Sequence, residues 1–103
     1  MASAPAVKKR PRKADESPTS LPNIGRVSAA HLNKIGITTK KQFLSRDPYQ
    51  VFDELLKKAD PTLCQSALAG IVGASRGVRW HLVSKESARE FAKRHPRHVW
   101  GKC

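Results

Sequence analysis

Residues 21–37 read LPNIGRVSAAHLNKIGI, and this stretch decides the fold of the chain. Pro22 fixes one φ angle, while Asn23 and Gly25 are residue types that tolerate sharp turns and left-handed backbone. Ile24 stands between the two and is expected to insert into a core. The pattern predicts a tight hairpin in which position 25 requires a residue without a Cβ atom.

A short amphipathic helix is predicted directly after the hairpin. Ala29, Leu32 and Ile35 recur at helical spacing, and Gly36 is typical of a glycine cap. The first turn of such a helix has backbone N–H groups without partners inside the helix, and these groups bind anions next to the positive charge of Arg26. We therefore expect the hairpin to bind phosphate.

Cap signals further along the chain predict more helices. Thr39 with Gln42 has the pattern of a capping box, and Asp47-Pro48 and Asp60-Pro61 are each typical of a helix start. Arg76-Gly77 is expected to end the helix that follows Asp60-Pro61, and Ser84 is the expected N-cap of the last helix. Since no alternating strand pattern occurs, the sequence predicts an all-α fold, a compact bundle of about five short helices. The predicted core residues are Ile24, Phe52, Leu63, Leu68 and Ile71, with Ala88, Phe91 and Ala92 facing inward from the last helix.

Composition limits the classes of protein to which the chain can belong. With 103 residues, of which 39% are hydrophobic, it has room for one small domain. Its 20 Lys and Arg against 8 Asp and Glu give a formal charge of +12, which favours an anionic partner such as nucleic acid. We see neither a membrane-spanning apolar run nor a signal peptide. The expected location is the cytoplasm, associated with the nucleoid, in a bacterium, or the nucleus in a eukaryote.

Two short features at the chain ends complete the organisation. Residues 1–20 include the basic run KKRPRK and few large apolar residues, so we predict a disordered basic tail followed by one domain over residues 21–103. Cys64 and Cys103 are too few for a disulfide framework and are expected to be reduced.

Residues 21–37 resemble the helix-hairpin-helix motif of DNA-binding proteins, from the Leu-Pro of the hairpin to the closing Gly-Ile. Three positions depart from the common pattern. Asn23 stands where the first hairpin glycine usually is, Arg26 replaces a frequent proline, and Val27 occupies a site often held by lysine. The resemblance implies non-specific contact with DNA phosphates.

The second half of the chain carries a further resemblance, in the stretches DPYQVFDELL at 47–56, DPTLC at 60–64, GIVGA at 70–74 and GVRWH at 77–81. These are similar to the small helix-hairpin-helix proteins of the pathogenicity-locus or mitomycin-resistance-like family, and to the C-terminal domain of the competence regulator TfoX. The resemblance covers residues 21–100 and implies a SAM-like helical bundle.

The candidate DNA-binding residues form three groups. The hairpin group is expected to present helix-start amides and one full charge, the second group lies at the start of a short helix, and the third forms a basic stripe on the last helix. They are Asn23, Gly25, Arg26, Val27 and Ser28; Lys40 and Lys41; and Lys85, Arg89 and Lys93. The alternatives are a turn that only packs helices, and a last helix whose cations are paired as Glu86–Arg89, Glu90–Lys93 and Glu90–Arg94.

Other chemistry-bearing residues give weaker signals. Trp80 and His81, next to Arg79, could stack on a base, and so could Trp100. For Trp80 the favoured interpretation is that it covers an apolar edge. His95, His98 and Cys103 resemble part of a zinc site without its fourth ligand, so no metal is expected. Because no nucleophile has a recognisable base partner, we expect no enzyme activity, no cofactor and no small-molecule substrate.

The sequence thus predicts a module that binds duplex DNA without sequence preference, in an accessory or regulatory role. A lone hairpin binds weakly, which leaves room for a protein partner or a homodimer. Two other functions remain open: a SAM-like protein–protein interaction domain, and an RNA- or ribosome-associated basic protein. No membrane partner is expected.

Overall fold

The computed structural model of the protein describes residues 16–101, and this part of the chain is all-α, as predicted. The expectations for residues 1–15 and for Cys103 lie outside the described residues. Five α-helices and two 3-10 turns occur between residues 16 and 101, without a strand. The α-helices are α1 Arg26–Lys34, α2 Lys40–Leu44, α3 Pro48–Lys58, α4 Gln65–Arg76 and α5 Ser84–Arg94; the 3-10 turns are Pro18–Ser20 and Trp80–Leu82.

Residues 16–20, which the sequence assigned to the tail, are folded. Ser17 caps the first 3-10 turn, in which Pro18 is buried. The backbone N–H of Lys40 donates to the carbonyl oxygen of Glu16 at 2.6 Å, and the two side chains form an ion pair at 3.7 Å. The folded part of the described chain therefore begins before Leu21. Proline suits the buried position 18, because it has no N–H group that burial would leave unpaired.

Most of the predicted helix signals are confirmed. Thr39 and Gln42 form the complete capping box, and the Asp47 carboxylate accepts a hydrogen bond from the N–H of Tyr49 at 3.0 Å. Gly77 ends α4 with φ at +74°, in the left-handed region. Gly36 lies just after α1 with φ at +86°.

Three local predictions are wrong. Asp60 does not start a helix, because its carboxylate accepts from both the N–H and the hydroxyl of Thr62 and closes a turn; α4 begins at Gln65. Ser84 lies inside α5, whose N-cap is Val83, because the second 3-10 turn continues directly into the helix. Ala92 is exposed, since Ser87 and Phe91 occupy the buried face of α5.

Helix α4 is the centre of the bundle and packs against α3, α5 and the second 3-10 turn. Ile24, Phe52, Leu68 and Ile71 are buried as predicted, and the partly buried Leu63 packs against them. Gly73 lets the hairpin and the residues after α4 approach this helix closely. A Cβ atom at Gly73 would lie 2.7 Å from both the Asn23 side-chain nitrogen and the Val78 carbonyl oxygen.

Cys64 is disulfide-bonded, so the expectation that it is reduced is wrong. Disulfide formation depends on how closely two Cβ atoms approach in the folded chain, and the spacing of two cysteines in a sequence does not give that distance.

The segment after α5 folds back onto the aromatic core. The Trp100 ring lies 6.0 Å from the Phe52 ring and 5.4 Å from the Phe91 ring, between centroids. The His98 ring meets the Phe91 and Trp100 rings edge-on, at 5.2 and 4.6 Å. Its buried Nε2 atom has no hydrogen-bond partner within residues 16–101. Burial, with a smaller contribution from the charge of His95, lowers the pKa of His98 below its ordinary 6.5, and Asp53 opposes this shift.

This arrangement predicts that the domain loses stability in mild acid. Because the pKa of His98 is lower in the folded state, protonation favours the unfolded state; the loss begins as pH falls below about 6.5 and is complete below the lowered folded pKa. We expect His98→Phe to reduce the drop in melting temperature between pH 7.5 and pH 5, relative to the native chain. The exposed His81 supplies the control variant, His81→Gln, which should behave like the native chain. An equal drop for His98→Phe would contradict the prediction.

Candidate nucleic-acid interface

Residues 21–25, for which we keep the name hairpin, form a turn between the first 3-10 turn and α1. Leu21 and Ile24 are buried, which confirms the role expected for Ile24. Asn23 has φ at +68° and is the one non-glycine residue with positive φ among residues 16–101. The element before the hairpin is a single 3-10 turn rather than an α-helix.

The side chain of Asn23 ties the hairpin to the end of α4 and the residues that follow. Its amide nitrogen donates to the carbonyl oxygens of Val78 at 2.8 Å and Gly70 at 3.4 Å, and its Oδ1 accepts from the N–H of Trp80 at 3.0 Å. These bonds occupy the polar atoms that we expected to contact DNA. Asn23 is therefore a structural residue, and its side chain is not free to contact phosphate.

Gly25 does not need to be glycine, contrary to the sequence prediction. Its φ and ψ are −97° and −167°, an extended conformation open to any residue, and a Cβ atom there would meet nothing within 4 Å. The left-handed position of the hairpin is Asn23, two residues earlier.

The N-terminus of α1 is open to solvent. Gly25 supplies no side-chain cap, and the first helical hydrogen bond runs from the N–H of Ala29 to the carbonyl oxygen of Gly25. The N–H groups of the three preceding residues therefore have no partner inside the helix. Arg26 and Val27 are exposed, Val27 to 70%, and Ser28 is half-buried.

Ion pairs neutralise some of the basic side chains and leave the others unpaired. Within residues 16–101 every acidic side chain except Asp60 pairs with Lys or Arg: Glu16–Lys40, Glu54–Arg46, Asp53–Lys57, Glu86–Arg76, and Asp47 and Glu90 with Arg94. The basic residues of that range without an ion pair are Arg26, Lys34, Lys41, Lys58, Arg79, Lys85, Arg89, Lys93 and Arg97.

The stripe Lys85, Arg89 and Lys93 is unpaired because Glu86 turns away from it. Glu86 accepts from Arg76 of α4 at 2.7 Å, and this hydrogen bond lowers the pKa of the carboxyl. Of the three pairs weighed for this helix, only Glu90–Arg94 is present. Lys41 is likewise unpaired and exposed, whereas Lys40 is held by Glu16.

The structure separates the two tryptophans, and packing, the favoured interpretation for Trp80, applies to Trp100 instead. Trp100 packs against the core, whereas the Trp80 side chain is 43% exposed. The second 3-10 turn points this ring outward, because Val83, three residues later, takes the buried position. The sequence does not predict which tryptophan is exposed, since a turn of three residues is too short to show a periodic pattern of burial.

A groove lies beside the hairpin, and we call it the hairpin groove. It has a volume of about 280 Å³ and is bordered by the hairpin, the first turn of α1, the N-terminal half of α4 and the indole of Trp80. Its lining residues are Asn23, Ser28, Ser66, Ala67, Gly70, Ile71 and Trp80, none of them acidic.

Within residues 16–101, no group of three or more His, Cys, Asp or Glu side chains could hold a metal ion. None of the helices in this range is both long and apolar enough to cross a membrane.

Comparison with known proteins identifies the family. The profile of the TfoX C-terminal domain matches residues 15–95. The chain belongs to the TfoX C-terminal domain family. A crystal structure of an uncharacterized protein from Listeria monocytogenes is also similar, with 28% sequence identity and a TM-score of 0.66 over 79% of this chain and 96% of that one. A search of curated proteins found no match.

Proposed function

We propose that this TfoX C-terminal domain binds duplex DNA without sequence preference, as an accessory or regulatory module rather than an enzyme. The observation that carries the proposal is the open N-terminus of α1, with Arg26 unpaired beside it. Uncapped amides and the helix dipole favour an anion at this end, and the guanidinium adds a full positive charge.

The chemistry of this surface favours phosphates over bases. Backbone amides and a single arginine bind phosphate oxygens, which are the same at every step of a duplex. The unpaired stripe on α5 and Lys41 would add further phosphate contacts. Binding through such contacts is weak and salt-sensitive, because it depends on the release of counterions from DNA.

The resemblance to helix-hairpin-helix proteins, including those of the pathogenicity-locus family, agrees with this proposal and remains a prediction. So does the bacterial, nucleoid-associated location. A protein partner is the second candidate, favoured by one observation: Val27, an apolar residue, is 70% exposed at the tip of the proposed contact surface.

Charge reversal at the hairpin tests the proposal. We expect Arg26→Glu to weaken binding to every duplex alike and to reduce the slope of log affinity against log salt by about 0.9 per lost contact. The melting temperature should not change, because Arg26 is exposed. Fluorescence anisotropy with duplexes of unrelated sequence measures both effects.

Lys34→Glu is the matched control, since Lys34 is also exposed and unpaired but lies at the other end of α1, about 12 Å away at 1.5 Å per residue. It should weaken binding less than Arg26→Glu. Equal losses for the two variants would indicate attraction by net charge alone. No binding to any duplex by the native chain, together with binding to RNA, would favour the RNA-associated alternative.

A further inference from the structure

The hairpin groove contains an aromatic ring that phosphate binding does not use. Trp80 lines the groove together with Ser28 of the first turn of α1. Large apolar side chains are ordinarily buried, and other aromatic residues of this domain pack against the core. An indole that stays 43% exposed beside a groove is therefore a candidate for ligand contact.

Three contacts hold the backbone of Trp80 in a fixed place. The Trp80 N–H donates to Asn23 Oδ1 at 3.0 Å, and the Trp80 carbonyl oxygen accepts from the N–H of Val83 at 3.1 Å. Gly73 of α4 lies directly beneath, since a Cβ atom there would be 3.4 Å from the Trp80 Cα. The backbone that carries the ring therefore need not be ordered when a ligand stacks on it, which lowers the entropic cost of binding.

The ring also has a face available for stacking. Within residues 16–101 its ring contact is with His81, at 6.1 Å between centroids and an angle of 88°. This edge-on contact leaves at least one face of the indole without an aromatic partner. Trp100, by contrast, contacts the rings of Phe52, Phe91 and His98.

The charges around the groove match a nucleic-acid backbone. Arg79 adjoins Trp80 along the chain, and Arg26 belongs to the same first turn of α1 as Ser28; both arginines are exposed and unpaired. No acidic residue lines the groove. An aromatic ring on a surface that also carries cations is typical of sites that bind single-stranded nucleic acid, where each base is flanked by phosphates.

We propose that Trp80 stacks on an unpaired base of DNA, so that the site takes duplexes with single-stranded ends, gaps or overhangs in preference to intact duplexes. Bases inside a duplex are already stacked on both faces, and a groove of about 280 Å³ does not admit a double helix. This inference rests on the proposed function and names the form of DNA that the same surface recognises.

Anisotropy titrations of the 103-residue chain test the inference with a blunt duplex, the same duplex carrying a short overhang, and the single strand. We expect Trp80→Ala to lose about 5- to 150-fold in affinity for the overhang and the single strand, the range for one stacked base, and to leave the blunt duplex unchanged. Trp80→Phe should retain most of the affinity. Leu82→Ala is the control, because Leu82 is a 67% exposed residue of the same 3-10 turn.

The outcomes separate the two proposals. If blunt-duplex binding depends on Arg26 but Trp80→Ala changes no affinity, or changes all three equally, the stacking inference is overturned and the proposed function stands. If the native chain binds none of the three DNAs, both fail. Tighter binding of an RNA strand of the same sequence would overturn the assignment to DNA. Thermal melts of the Trp80 variants verify that the fold is intact.

Discussion

Leu68→Ala is expected to lower the free energy of unfolding by about 2–5 kcal/mol, the usual range for a leucine truncated in a packed core. Leu68 is fully buried in α4, the helix against which α3, α5 and the second 3-10 turn pack. The cavity would thus open at the centre of the bundle. Since a domain of this size has only about 5–15 kcal/mol of stability in total, the change is large enough to threaten folding.

The same truncation at an exposed leucine is the control. Leu82 is 67% exposed, so Leu82→Ala should stay within about 0.5 kcal/mol of the native chain, and the exposed Lys85→Ala likewise. Chemical denaturation measures all three variants. A Leu68→Ala variant as stable as Leu82→Ala would mean that α4 is not the centre of the core.

Asn23→Ala is expected to lower the free energy of unfolding by about 2–4 kcal/mol, and two costs add up to this figure. The first is the loss of the three hydrogen bonds that join the hairpin to Gly70, Val78 and Trp80. The second is backbone strain, because alanine tolerates the φ of +68° poorly.

Asn23→Gly separates the two costs. Glycine adopts positive φ without strain, so this variant should lose only the hydrogen-bond part and be more stable than Asn23→Ala. The Trp80 amide should exchange its hydrogen faster in both variants, as seen by NMR, because its acceptor is gone. Native-like exchange in Asn23→Ala would contradict the role assigned to this side chain.

Local signals in the sequence were sufficient for most of the helices. Thr39 with Gln42, Asp47 with Pro48, and Gly77 act on backbone groups within a few residues, so their effect is readable without knowledge of the fold. The same logic failed at Asp60, where a carboxylate two residues from Thr62 closes a turn as readily as it caps a helix. Local patterns thus fix the type of element better than its boundary.

For the candidate site too, the sequence predicted some features and missed others. The buried Ile24, the helix start at Arg26 and the exposed Val27 followed from hairpin pattern and helical spacing. The sequence did not predict that Asn23 rather than Gly25 is the left-handed residue, because both residue types tolerate turns. Only the partners of the Asn23 side chain distinguish them. Those partners lie 47 to 57 residues away in the sequence.

The sequence by itself determined an all-α chain, the turn before α1 and the excess of positive charge, since these depend on composition and on contacts between near neighbours. Only the tertiary structure decided which cations stay unpaired and which tryptophan faces solvent. Glu86 reaches Arg76 on another helix and leaves Arg89 free, and Trp100 folds back onto Phe52 and Phe91 while Trp80 stays outside. Both outcomes depend on how α4 and α5 pack, and the energy of such contacts between distant residues is not encoded in any single stretch of the chain.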